Sequence, residues 1–340
     1  LGTILSELGN LKEAELSIRS AIQLNPIFAE AYYNLGKVLT DLGDLQEAEL
    51  SIRKAVELQP NLAKAYFALS ILKYSNANNK IWESHLFSKN IEKQQLQKDQ
   101  INIYFARVNI LHNKKNYKES AECLNLANNK KLVLKPSNAD YKISKSKVLL
   151  AESNKIEINQ KKYEGYPESI FIVGMPRSGS TLLESILTMN TDIYDLGETT
   201  ILEKSFLDWK KADQKSTLFE LYIKNATYHS KKLHNTTNKN LYNYQYAGII
   251  SSQIPNAKII HCYRNPLDNI LSIFRAHFAK GNGYSSSLID CARVYLNQEE
   301  IMTQYKNRFQ SKIYDLNYDS LVSNPKATVK SLIDSLGWQW

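Results

Sequence analysis

Gly174-Met175-Pro176-Arg177-Ser178-Gly179-Ser180-Thr181 places two glycines five positions apart, with an arginine between them and two hydroxyl residues after them. The N–H groups of such a loop, with the positive end of a following helix, cradle an anion. The GxxxxG spacing is that of a phosphate loop, but Ser180 stands where a nucleotide triphosphatase carries lysine. Arg177 is the one strong cation within the loop sequence. The chemistry indicated is binding of a phosphate-like group without the usual apparatus for Mg-nucleotide turnover. A second set comprises Arg264, Pro266 and Ser272, the serine eight residues after the arginine. Arg264 offers a bidentate fork to a phosphate. Ser272 adds a hydroxyl from about two turns into a helix.

These groups need elements that converge. Ser169–Val173 reads as a buried strand, and Thr181–Leu187 opens a helix behind the loop. Asn256–Tyr263 reads as a second parallel strand, ending at Arg264, with Asn269–Ser272 on a helix. Strands alternating with helices imply a parallel sheet covered on both faces. The ligand then lies at the carboxyl ends of the strands, where Arg177 and Arg264 sit. Tyr314–Pro325 reads as a closing strand and turn, and Asn235–Asn243 as a polar loop.

Pro176-Arg177-Ser178-Gly179-Ser180-Thr181 resembles the 5′-phosphosulfate loop of the sulfotransferases, and Arg264-x-Pro266 with Ser272 resembles their 3′-phosphate site. The resemblance is closest to the tyrosylprotein sulfotransferases and to bacterial proteins that join tetratricopeptide repeats to such a domain. It implies 3′-phosphoadenosine 5′-phosphosulfate (PAPS) as co-substrate, adenosine 3′,5′-bisphosphate as product, and no metal. It implies nucleotide contacts from Arg177, Ser178, Gly179, Ser180, Thr181, Arg264 and Ser272. Glu198 follows Arg177 by 21 residues in a Gly-Glu-x-Thr context, the spacing at which tyrosylprotein sulfotransferases place their catalytic glutamate. Lys239 matches the family lysine that contacts the bridging oxygen of the leaving group, and Arg177 shares the 5′-phosphate charge. Other sulfotransferases use a histidine after a Lys-x-Pro motif; none follows Lys239 here. His234 is a weaker alternative to Glu198, His261 is expected to be a satisfied core residue, and His229 and His277 have no motif around them.

The expected activity is transfer of a sulfuryl group from PAPS to a hydroxyl, with a protein tyrosine as the most specific acceptor. Two other readings stand beside it. One is a nucleotide kinase or triphosphatase on a phosphate-loop scaffold. The other is an interaction scaffold whose second domain is inactive.

The N-terminal half repeats itself at a period of 34: Glu13–Arg19 falls on the identical run Glu47–Arg53, and Leu8-Gly9 on Leu42-Gly43. This period and pattern are those of the tetratricopeptide repeat. A full unit runs from about Ala29 to Asn61, with weaker units over Ala63–Leu96 and Ile101–Leu134. Such arrays present a concave surface, so a protein or peptide partner is expected there.

The fold class expected is α + α/β. A tetratricopeptide α-solenoid covers residues 1–140 and starts part-way through a unit. A terminal helix and linker cover 141–167, and a P-loop-like α/β sulfotransferase domain covers 168–340. Relatives of that domain continue with a segment that folds over the nucleotide.

Among the 340 residues, 43% are hydrophobic and 23% charged, ordinary values for a globular protein. Apolar runs such as Ile170–Val173 are far short of the ~20 residues of a membrane span. A net charge of +9 fits an anionic ligand or an acidic protein partner and does not by itself indicate nucleic acid. Three cysteines, Cys123, Cys262 and Cys291, form no CxxC pair, which favours free thiols and a cytoplasmic setting.

Overall fold

A computed structural model describes residues 1–72, 80–93, 96–159, 165–211, 216–230, 235–278 and 281–339. The chain forms two compact units, Leu1–Pro136 and Ser137–Trp340.

The regular elements described in the first unit are all helices: α1 (Gly2–Glu7), α2 (Leu11–Leu24), α3 (Ala29–Leu42), α4 (Leu45–Leu58), α5 (Ala63–Ile71), α6 (Lys80–Leu86), α7 (Lys89–Lys93), α8 (Gln97–Asn113) and α9 (Tyr117–Leu134). The 34-residue period has a steric basis. A Cβ added at Gly2 would lie 2.4 Å from Ile18 Cγ1, and one at Gly36 would lie 2.3 Å from Ile52 Cγ1. Ala14 and Ala48, one helical turn before those isoleucines, are fully buried. Small residues thus let α1 close on α2, and α3 on α4, at equivalent points of successive units.

The third unit departs from this pattern. Within the described residues, two short helices, α6 and α7, stand where a second repeat helix is expected; residues 73–79 and 94–95 lie outside the described residues. Trp82, Leu86 and Ile91 join the core around Tyr66 instead. Bulky side chains replace the small ones that hold the earlier pairs close. A regular pair returns with α8 and α9.

The second unit begins with α10 (Ala139–Ser153), then β1 (Ser169–Gly174), α11 (Ser180–Leu187), β2 (Ile193–Asp195), α12 (Ile201–Lys211), α13 (Leu218–Ser230) and β3 (Asn235–Asn238). A 3-10 turn over Leu241–Tyr246 leads to α14 (Ala247–Gln253), β4 (Ala257–Tyr263), α15 (Pro266–Arg275), α16 (Leu288–Arg308), β5 (Ile313–Asn317), α17 (Tyr318–Ser323) and α18 (Pro325–Leu336). The sheet order is β2-β3-β1-β4-β5, with every pairing parallel. The period-2 geometry of a strand splits β1 between two cores. Phe171 and Val173 face one with Ile259, while Ile170 and Ile172 face the other with Ile260 and Cys262. This double burial is what a central parallel strand requires.

Two elements differ from their sequence reading. The polar stretch from Asn235, expected as a loop, contributes strand β3. Its amides are satisfied inside: Asn235 Oδ1 accepts from Glu168 N at 2.8 Å, and Asn238 Oδ1 accepts from Asn243 Nδ2 at 3.0 Å. The polar helix expected to end the repeats and lead into a linker is α10, and it belongs to the second unit. Gln245 Nε2 donates to Ser146 Oγ at 2.8 Å, and Tyr305 OH donates to the Gln245 carbonyl at 3.0 Å, tying α10 and α16 to the 3-10 turn.

Candidate active site

The chain runs from β1 to one side of the sheet, through β2 and β3, and then returns to the other side as β4 and β5. A crevice at the carboxyl ends is expected where that direction reverses. A cavity of about 620 Å³ lies there. Each of the five strands is followed by a residue in its wall. Arg177 follows β1, Glu198 follows β2, Arg264 follows β4 and Tyr318 follows β5; after β3 come Lys239 and then Asn240, which lines the cavity.

The loop after β1 is held in an uncommon backbone shape. Arg177 has φ +68° and Gly179 has φ +89°. A non-glycine residue in that region costs about 1–3 kcal/mol, so the surroundings must enforce it. One fastener is Asn269 Nδ2, which donates from α15 to the Pro176 carbonyl at 3.1 Å. Another is Tyr318, whose ring lies where a Cβ on Gly179 would be, 2.0 Å from Cδ2. The loop therefore presents its N–H groups at the start of α11.

The two sequence motifs meet. Arg177 Nε donates to Ser272 Oγ at 3.2 Å, joining residues 95 apart in the chain. The Arg264 guanidinium lies 5.0 Å from the Tyr318 ring centroid, and its Nε is buried without a hydrogen-bond acceptor among the described residues. Its carboxylate neighbours, Asp268 and Asp319, stand off at 3.8 Å. Ser178 Oγ is also buried and unpaired. A buried, unmet guanidinium nitrogen and hydroxyl beside a helix N-terminus suit an anionic ligand that supplies acceptors. Gly179, Ser180 and Thr181 line the cavity; Ser178 is buried within the loop, and Ser272 is joined to the lining through Arg177.

Opposite charges gather around Lys239, which is 8% exposed. Its Nζ lies 2.6 Å from Glu184 Oε2 and 3.9 Å from Glu198 Oε1. Glu198 is largely solvent-exposed and lines the cavity, whereas Glu184 is buried on α11. Lys239 N also donates to the Gly197 carbonyl at 3.0 Å, joining the segments after β2 and β3. Burial pushes the Glu184 carboxyl up to about 7; the Lys239 bond works against this rise and Asp195 adds to it.

Sequence reasoning missed Glu184, Asn240, Tyr242 and Tyr318. Only Glu184 left a usable signal. Ser180, Leu183, Glu184 and Leu187 form the buried stripe of α11 at helical spacing, so an acid stands in a core position. Tyr242 is a cavity wall fixed from behind. Its hydroxyl meets Tyr284 OH at 2.9 Å and also Asn282, and Lys142 Nζ sits 3.3 Å from its ring centroid. Burial, with Lys145 nearby, pushes the Lys142 ammonium down to about 8.

The histidines stand apart. His261 is fully buried in β4, with Nδ1 2.8 Å from Asp315 Oδ1 and Nε2 2.7 Å from Gln298 Nε2. Burial opposes the ionised Asp315, yet its bonds to His261 and Lys306 hold its carboxyl below the usual range. His229 is exposed near the end of α13. His277 lies half-buried beyond α15, and His234 lies outside the described residues.

The sequence model of the sulfotransferase family matches residues 167–340, and that of the tetratricopeptide repeat matches 1–28 and 29–62. The chain belongs to the sulfotransferase family. Its second unit is thus a sulfotransferase-family α/β domain, preceded by tetratricopeptide repeats. An uncharacterized protein of Aquifex aeolicus (strain VF5) is 26% identical over 265 residues, which cover 69% of this chain and 34% of that protein. The chain thus spans about a third of the length of this relative. Two solved sulfotransferase domains are similar. The sulfotransferase domain from the curacin biosynthetic pathway is 18% identical with a TM-score of 0.40, covering 51% of this chain and 75% of that one. The sulfotransferase domain from the Synechococcus PCC 7002 olefin synthase is 16% identical with a TM-score of 0.40, covering 54% and 78%.

Proposed function

We propose that the second unit transfers the sulfuryl group of PAPS to a hydroxyl acceptor. The observation that carries this reading is the Arg177–Ser272 hydrogen bond of 3.2 Å, which brings the two phosphate-binding motifs to one cavity. The loop N–H groups, Ser180, Thr181 and Arg177 would hold the 5′-phosphosulfate, and Arg264 with Ser272 the 3′-phosphate. Arg264 Nε and Ser178 Oγ support this assignment, because each is buried without a partner that an anion could provide.

Sulfuryl transfer, like phosphoryl transfer, is expected to pass through a loose transition state, so placement and charge stabilisation dominate. The acceptor oxygen attacks sulfur as its proton passes to the Glu198 carboxylate. The bond between sulfur and the bridging oxygen breaks, and the electron pair stays on the 5′-phosphate of adenosine 3′,5′-bisphosphate. Lys239 donates a hydrogen bond to that oxygen as its charge grows. The products are the sulfate ester and the bisphosphate.

For the acceptor we favour a tyrosine in a protein or peptide. Leu182, Tyr242 and Phe278 line the same cavity as Glu198 and suit an aromatic ring. The repeats of the first unit are suited to holding the polypeptide that carries it, on their concave face. The test is transfer of label from sulfur-labelled PAPS to tyrosine-containing peptides. Glu198→Gln is expected to lower kcat by ~10²-fold or more while bisphosphate binding persists. Undiminished turnover in that variant would remove Glu198 from the role of base.

A further inference from the structure

Glu184 carries a buried charge that the transfer chemistry leaves unused. It stands on α11 five residues beyond Gly179 and is 6% exposed. One oxygen takes the Lys239 ammonium at 2.6 Å. The other, Oε1, is buried with no hydrogen-bond donor among the described residues. An acid in that place weakens the positive field that the loop and helix end offer to an anion. A buried carboxylate is also costly unless paired. Its partner is the lysine that must reach the leaving oxygen, and that same lysine stands 3.9 Å from the exposed carboxylate of Glu198.

Resting on the sulfotransfer reading, we propose that Glu184 is a positioning residue: it holds the Lys239 ammonium on the phosphate-loop helix and out of a tight ion pair with Glu198. Lys239 has a long, flexible stem and two acidic neighbours. Without Glu184, the exposed Glu198 side chain is free to close on Lys239. The base would then be neutralised by the group meant to serve the leaving oxygen. With Glu184 in place, Glu198 keeps its lone pairs for the acceptor, and Lys239 stays beside the loop that receives the 5′-phosphosulfate.

The hold depends on pH. Burial first, and then Asp195 at the end of β2, raise the Glu184 carboxyl to about 7 against the opposing effect of Lys239. Among the described residues, the charged groups that act on it are Lys239 from the segment after β3 and Asp195 from β2. Above about 7 Glu184 is ionised and holds the ammonium. As pH falls through that value it takes a proton, which it can share with Asp195, and Lys239 is released toward Glu198.

The experiment uses the full chain with Glu184→Gln, which keeps shape and removes charge. Lys239 is labelled with acetic anhydride in the absence of nucleotide and quantified by mass spectrometry. Labelling is expected to rise at least ~3-fold in the variant, because the amine leaves a buried partner for an exposed one. In turnover, kcat is expected to fall ~10-fold at unchanged KM for PAPS, and the acid limb near pH 7 to disappear. Equal labelling and an unchanged pH profile would overturn the proposal. If Glu184→Gln does not fold, the same labelling in Glu184→Asp decides, with an intermediate rate expected and a wild-type rate overturning it. Labelling needs no turnover, so a chain inactive with PAPS but with Lys239 shielded by Glu184 would defeat the sulfotransfer reading while leaving the ion-pair hold standing.

Discussion

The two units use glycine for different ends. In the first unit, Gly2 and Gly36 make room for an isoleucine sixteen residues later, and the same contact recurs one period apart. The gain is shape alone: helices approach, and an array grows. In the second unit, Gly179 makes room for the Tyr318 ring and also supplies φ +89° in a loop used once. There the gain is a bent backbone in the wall of a cavity. A repeated contact makes a surface, whereas a single strained contact makes a site.

That contrast can be broken by substitution at each glycine. Gly179→Ala is expected to have the largest effect, because it adds a clash with Tyr318 to an unfavourable φ. Bisphosphate binding should fall at least ~10-fold, about 1.4 kcal/mol, as read by calorimetry. Retained binding would mean that the loop can hold an anion in another shape. Gly36→Ala should cost ~2 kcal/mol of first-unit stability in chemical denaturation, since the new methyl meets Ile52 at 2.3 Å. Bisphosphate affinity should not change. Gly43→Ala is the mildest: φ is +89°, but nothing lies within 4 Å of an added Cβ. It should cost ~1 kcal/mol through backbone strain alone. Equal costs at positions 36 and 43 would remove the distinction between space and conformation.

How far the sequence could be read follows the same division. The repeat was legible because each unit restates the pattern, and Gly36 with Ile52 can be checked against Gly2 with Ile18. The anion loop was legible because strand, loop and helix are local. Arg264 and Ser272 were legible as a spacing, but the meeting of Ser272 with Arg177 depends on β1 and β4 lying side by side. Strand β3 was misread because Asn-Thr-Thr-Asn is polar, and its amides are satisfied only by tertiary partners such as Glu168 N and Asn243. Tyr318 and Tyr242 reach the cavity from the start of α17 and from the 3-10 turn, and no local pattern marks them. The third helical unit lost its second repeat helix where the small residues run out.

The central claim is that one cavity binds a nucleotide with a 3′-phosphate through Arg264 and the loop after β1. The direct measurement is calorimetric titration of the full chain with adenosine 3′,5′-bisphosphate and, separately, with Mg-ATP, in wild type and Arg264→Ala. The account predicts preference for the bisphosphate and at least a ~10-fold loss of its affinity in Arg264→Ala. Mg-ATP binding as tightly as the bisphosphate, or bisphosphate binding indifferent to Arg264→Ala, would contradict it.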